Sequence, residues 1–253
     1  MVQVQRVSDM AELVTQAALK FIDTVAAAQA PGGGVHGDGV ARVVLTGGGA
    51  GIGLLRQLAQ FDAAARAHSE DYPVLAVDWA RVHVFFGDER NVPTSDPDSN
   101  EGQARAALLD HVDIPEQHIH GFDLGAIAMD AAADAYAGEL EEFAPQGFDL
   151  HLLGMGGEGH INSLFPHTDA VRETTRLVVP VHDSPKPPAE RVTLTLPAVN
   201  SAAQVWLLVA GAEKAAAAAQ VIAGADPEFW PAAGAQGTVG TVLFLADDAA
   251  AEL

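Results

Sequence analysis

Apolar β-type runs alternate with alanine-rich helical stretches along most of this chain, and several runs end in glycine. That alternation predicts an α/β fold: a mostly parallel, Rossmann-like sheet with helices on both faces. The β-type runs are Val2–Val7, Arg42–Leu45, Val82–Phe86, Phe148–Leu153, Arg176–Val181, Arg191–Leu196, Gln204–Ala210 and Thr241–Leu245. Helices are expected from a Ser8 or Asp9 cap to about Gln29, over Gly53–Ala67, from Ser95 to about Leu109, over Ala126–Phe143 and over Glu213–Ile222. A short terminal helix capped by Asp247 should follow. In open sheets of this kind ligands bind beyond the carboxyl ends of the strands. Here those ends are Gly47-Gly48-Gly49, Gly87-Asp88-Glu89-Arg90, Gly154 to His160, and Gly211 to Lys214.

The length, 253 residues, suits one α/β domain over 1–253. The best candidate break, Ala30 to Gly39, reads as a flexible surface loop. With 34 acidic residues against 13 basic ones the formal net charge is −21, which repels nucleic acid and anionic membranes. An anionic substrate must therefore be caught by a local cluster of the few bases. Cysteine is absent, which removes thiol catalysis, disulfides and Cys-ligated metals. No apolar run is long enough to span a membrane, and the first residues lack signal-peptide order, so a cytoplasmic protein is expected.

The segment from Phe148 to His167 carries the strongest chemistry. An apolar run ends in four glycines packed around Glu158, with His160 directly after them. Glycines let backbone N–H groups approach a ligand, and a histidine there is placed for proton transfer near neutral pH. Gly154, Gly156 and Gly159 also satisfy the G-x-G-x-x-G spacing, but Pro166 limits any helix starting near His160 to about two turns, which argues against a dinucleotide site. Thr46 to Gly53 is a second glycine loop, suited to cradling a phosphate with its N–H groups and the following helix dipole. Arg90, Arg191 and Lys214 describe an anion pocket together with the two loops. His118-Ile119-His120 lacks further ligands at suitable spacing, so no metal is expected. His151, in mid-strand, reads as a satisfied core or edge histidine. No G-x-S-x-G elbow is present, which leaves water, activated by a histidine, as the simplest nucleophile.

Four ordered blocks resemble the 6-phosphogluconolactonase family: Gly-Asp-Glu-Arg-Asn-Val-Pro at 87–93 with Asp-Ser-Asn at 98–100, Phe148 to Pro166, Arg191 to Pro197, and Gly211 to Lys214. The resemblance implies the isomerase/lactonase type of α/β fold and hydrolysis of 6-phosphoglucono-δ-lactone, without a cofactor. It implies His160 as the catalytic base, with Asp88 and Glu158 orienting it or the sugar hydroxyls. Gly156 and Gly157 would supply N–H groups to the oxyanion. Arg90, Arg191 and Lys214, assisted by Gly48 and Gly49, would hold the phosphate or steady the developing charge, and the sequence does not decide which base meets the phosphate. The chain departs from the family pattern at Glu158, usually aspartate, and at Ile161 and Asn162, usually threonine and alanine. Amino-sugar-phosphate deaminases are similar in fold, but their loop continues differently from Ser163-Leu164-Phe165-Pro166. A non-catalytic sugar-phosphate-binding protein and a nucleotide-binding oxidoreductase are the remaining alternatives. The partner expected is a small sugar phosphate lactone, with no nucleic acid and no membrane; oligomeric state is not legible.

Overall fold

A computed structural model describes residues 2–67 and 77–253. Six strands form a parallel sheet: β1 (Gln3–Val7), β2 (Ala41–Leu45), β3 (Val82–Phe86), β5 (Leu150–Gly154), β8 (Gln204–Val209) and β9 (Gly240–Ala246). Their spatial order is β1-β9-β8-β5-β2-β3. All of β2 and Val205–Val209 of β8 are buried, so the middle of the sheet is covered on both faces, as parallel sheets require. Helix α1 (Met10–Gln29) starts where Asp9 accepts the Glu12 N–H at 2.9 Å and Glu12 reaches back to the Ser8 N–H. Its buried stripe, Leu13, Ala17, Phe21 and Val25 among others, repeats at helical spacing and faces the core. Helix α2 (Gly48–Ala67) packs beside α1.

The strands expected of the large sheet appear within two residues of their positions. Helix α2 is longer than expected: it begins within the glycine stretch, at Gly48, whose φ of +77° glycine adopts without steric cost. The larger difference is a second sheet. Asp88–Arg90, expected as a strand-ending loop, is strand β4, paired antiparallel with β7 (Arg191–Leu194), which pairs in turn with β6 (Val178–Val181). Gly87 joins the two sheets, donating to Leu45 O of the large one and accepting from Leu194 N of the small one. A β-carbon there would overlap the Asn162 amide, so the pivot needs glycine. Helices α3 (Asn100–Ala107) and α4 (Met129–Phe143) follow, α4 packing on β6 and β7. Short helices α5 (Asp169–Arg172) and α6 (Leu196–Val199) precede α7 (Ala215–Ala223), which stops at Gly224 in the left-handed region.

The segment Ala30–Gly39 is tied to the sheet rather than loose. Buried Asp149 accepts the Val35 and Arg42 N–H groups at 2.8 Å each, and His36 bonds Gly147 O. No described helix is long and apolar enough to cross a membrane. The three imidazoles of His83, His118 and His120 stack together, and His120 Nδ1 lies 2.8 Å from Glu139.

His151 is fully buried in β5 and, contrary to expectation, neither ring nitrogen has a partner among the described residues. The apolar strand around it offers no donor or acceptor, and burial pushes its pKa down to about 3. Burial, with neighbouring His118 and His120, pushes His83 down to about 4. Both pKa values lie below that of an unfolded histidine, about 6.5. The unfolded chain therefore binds protons that the folded chain refuses. Stability present above about pH 6.5 drains away as the pH falls toward these lower values. The melting temperature should drop steadily between pH 7 and pH 4.5, and His151→Leu should drop less steeply; parallel melting curves for the two proteins would remove His151 as a cause.

Candidate active site

A cleft opens where the carboxyl ends of β2, β3, β5 and β8 meet the small sheet. Thr46 to Ala50, Asp88, Arg90, Asn100, Gly154, Met155, His160, Asn162, Arg191, Leu208 and Lys214 line it. Antiparallel pairing sets Arg90 directly opposite Arg191, and strand alternation puts Asp88 on the same face. Glu89 points the other way, where its carboxylate accepts from Ser99 Oγ and from the Asn100 and Glu101 N–H groups at the start of α3. Burial pushes the Glu89 pKa up against those bonds.

The loop after β5 delivers His160. Gly156 N–H donates to His160 O at 3.0 Å, and Gly159 N–H to Gly156 O at 3.0 Å, which closes a tight turn. A β-carbon on Gly156 would overlap the imidazole ring, so this position must be bare. The ring stacks on Phe165 at 4.5 Å between centroids. Nδ1 lies 3.2 Å from Glu158 Oε1, while Nε2 has no hydrogen-bond partner among the described residues. Lys186 Nζ touches both oxygens of Glu158, at 2.9 and 3.1 Å, and approaches His160 Nδ1 at 3.4 Å. Burial lowers the His160 pKa, Lys186 lowers it further, and Glu158 and Asp88 oppose them. Burial disfavours ionised Glu158, but Lys186, its own backbone N–H and His160 outweigh that and hold its pKa at about 2. The resting pair is a carboxylate beside an uncharged imidazole.

Asp88 takes Ser163 Oγ at 2.6 Å and Asn100 Nδ2 at 3.0 Å, with Arg191 Nη1 at 3.8 Å. Arg191 is almost fully buried, and that burial lowers its pKa. Its Nε donates to Pro188 O, and its Nη2 to Lys186 O and Pro187 O. Arg90 Nη1 donates to Asp98 O and to Asn100 Oδ1, and its buried Nε has no partner. At the other end of the cleft α2 begins, with Gly48 at φ +77° and nothing within 4 Å of where a β-carbon on Gly48 or Gly49 would stand. Gly48, Gly49 and Ala50 of its first turn line the cleft together with Lys214. Among the described residues, Lys20, Arg56, Arg90 and Lys214 are the cations with no carboxylate within 4 Å. Two of the four line the cleft.

The structure brings His160, Asp88, Arg90, Arg191, Lys214, Gly48 and Gly49 to one cleft. Gly156, Gly157 and Glu158 stand behind the histidine instead of lining the opening. The Gly156 N–H, expected to meet an oxyanion, is spent on His160 O because the turn needs that bond to close. Asp88 makes no hydrogen bond to His160; its oxygens are taken by Ser163 and Asn100. Arg191 has two of its three nitrogens committed to loop carbonyls. Sequence reading missed Lys186, which lies in a proline-rich break between two β-type runs, a pattern that does signal a stiff turn. It also left Asn100 and Ser163 without a role, although both sit in motifs it singled out.

The glucosamine-6-phosphate isomerase/6-phosphogluconolactonase family model matches residues 8–244. A 6-phosphogluconolactonase of Mycobacterium tuberculosis is 49% identical, covering 95% of this chain and 94% of that protein. One from Streptomyces coelicolor is 43% identical over 95% of this chain and 90% of that protein. Among solved structures, 6-phosphogluconolactonase from Thermotoga maritima superposes with a TM-score of 0.81 at 26% identity, covering 98% of this chain and all of that one. A monomeric glucosamine-6-phosphate deaminase shares the fold, with a TM-score of 0.79 at 21% identity over 100% of both chains. Matched over nearly its whole length, the chain belongs to the glucosamine-6-phosphate isomerase/6-phosphogluconolactonase family.

Proposed function

We propose that this chain hydrolyses 6-phosphoglucono-δ-lactone to 6-phosphogluconate, the lactone-opening step of the oxidative pentose phosphate pathway, with His160 as the proton carrier. The observation that carries the reading is the state of His160. Its Nδ1 is held by a carboxylate, burial keeps it uncharged, and its Nε2 is unengaged in a cleft with two unpaired cations. Glu158 fixes the tautomer by accepting the Nδ1 proton, which leaves the Nε2 lone pair for water. Water attacks the lactone carbonyl carbon as Nε2 takes its proton, and the carbonyl oxygen becomes an oxyanion. As the tetrahedral centre collapses, the bond to the ring oxygen breaks and Nε2 returns the proton to that oxygen. The products are a carboxylic acid, which ionises, and a free hydroxyl.

Arg191, which faces the same Phe165 ring as His160, is the cation suited to the developing oxyanion through Nη1. Lys214 and the start of α2 suit the phosphate, because a lysine and bare helix N–H groups both recognise it. Asp88 acts by holding Ser163 and Arg191 in place. The same reading makes the protein a cytoplasmic enzyme of a small sugar phosphate, with no nucleic-acid partner; the net charge of −21 supports that last point.

His160→Ala should cut kcat by about 10²–10⁴ in a coupled or pH-stat assay on fresh lactone while the melting temperature holds. A near-wild-type rate above spontaneous hydrolysis would dismiss His160 as the base, and ammonia release from glucosamine 6-phosphate would point to the deaminase reading instead. Lys214→Ala should raise KM about tenfold or more with little change in kcat, as for a lost charge-assisted contact. Its rate on unphosphorylated glucono-δ-lactone should match wild type; an equal loss on both substrates would take Lys214 off the phosphate. Gly156→Ala should push the imidazole out of register and lower kcat by roughly 10²-fold, with KM nearly constant. A fully active Gly156→Ala protein would mean that the ring has more room than the turn shows.

A further inference from the structure

The Lys186 ammonium is in contact with both His160 and Glu158, and the reaction above does not use it. An ion pair whose partners are 46% and 37% exposed is ordinarily worth little. This one differs in how it is held. Buried Arg191 grips the carbonyl groups of Lys186, Pro187 and Pro188, and the Lys186 N–H and carbonyl both engage Ser184 Oγ. The prolines remove backbone freedom on the same stretch. The lysine therefore leaves a fixed base, and among the described residues its ammonium meets the catalytic loop alone: both Glu158 oxygens and, more distantly, His160 Nδ1.

We propose that Lys186 is a positioning residue of this site: its ammonium pins the Glu158 carboxylate against His160 Nδ1 and, by its own charge, opposes a second proton on the imidazole. The proposal rests on His160 being the base. Its protons go to Glu158, so the Nδ1 proton also goes to Glu158 and Nε2 keeps its lone pair. Without the lysine, Glu158 would face His160 as an uncompensated negative charge and draw it into the imidazolium form. An imidazolium cannot take a proton from water, so activity would be lost first in acid. The other charged groups around the imidazole are Asp88 and Arg90 from β4, Arg191 from β7 behind Phe165, and Lys214 ahead of α7. Asp88 favours a charged ring and Lys186 opposes it, so the lysine offsets two carboxylates.

The test compares wild type, Lys186→Met and Lys186→Arg by the pH dependence of kcat/KM from pH 5 to 7.5. In parallel, the His160 ring proton is titrated by NMR, with His160→Ala supplying the assignment. In Lys186→Met both the acid limb and the NMR midpoint should move to higher pH. The loss in kcat/KM should be roughly threefold or more at pH 5.5 and should shrink as the pH rises. It should appear in kcat more than in KM, and Lys186→Arg should restore it. Superimposable profiles would overturn the proposal. So would an equal loss at every pH with an unmoved NMR midpoint, which would make Lys186 a substrate contact. If His160→Ala keeps its activity while the midpoint moves in Lys186→Met, the coupling stands and the base assignment falls, so the two failures are told apart.

Discussion

One buried guanidinium ties the site together. Arg191 sits inside the protein, where a lone charge is costly, and its compensation comes from three separate places. It starts on β7, grips the carbonyls of the Lys186–Pro188 turn, meets Ser163 from the loop after β5, and faces Asp88 on β4. A guanidinium can do this because its donors radiate in one plane; a lysine would satisfy one or two of these partners and orphan the rest. The small sheet thereby acts as a jig against the carboxyl end of the large one. It sets Lys186 on Glu158, and Glu158 on the histidine.

Two close approaches make that jig possible. At Gly87 the chain leaves the large sheet and enters the small one, and Asn162 occupies the space a side chain would need. At Gly156 the imidazole itself fills that space. Both glycines cost backbone entropy on folding. Both place polar side chains nearer to backbone than any other residue would allow. Asn162 shows the strain that remains: it holds φ at +47°, and its buried amide has no partner at either atom. The loop carrying His160 is held by its surroundings more than by its own conformational preferences.

The middle of the large sheet is legible in the sequence because β2, β3, β5 and β8 are largely apolar runs that end at or near glycine, as strands buried on both faces do. Two strands of the small sheet, β6 and β7, are legible as β-type runs. Strand β4 is not, because Asp88–Arg90 is three residues long, polar, and stabilised by partners about a hundred positions away. The first turn of α2 is misread for the opposite reason: a glycine cluster signals a loop locally, and only tertiary context makes it helical. His160 stands out because residue type and loop density point to it together. Lys186 does not, since nothing in a Ser-Pro-Lys-Pro-Pro run shows that its ammonium lands on a carboxylate 28 positions earlier. Asp88 and Arg191 are found, but not the protein groups they bond. Sequence shows that both lie at the mouth, while only coordinates show that their polar atoms are already bonded to protein.

The charge distribution follows the same division between what is near and what is far. An excess of 34 acids over 13 bases would repel a sugar phosphate at long range. Salt at physiological strength screens that repulsion beyond about 8 Å. Inside the cleft screening is weak, and what counts is which charges are already neutralised. Most basic side chains on this surface are matched to a carboxylate at short range, Arg105 to both Glu101 and Glu116, and Arg172 to Asp169 and Glu228. Arg90 and Lys214 are not, and both line the cleft, as do the first residues of α2. By pairing off most of the other bases, the acidic surface leaves unmatched positive charge in the cleft, where an anionic substrate would be received.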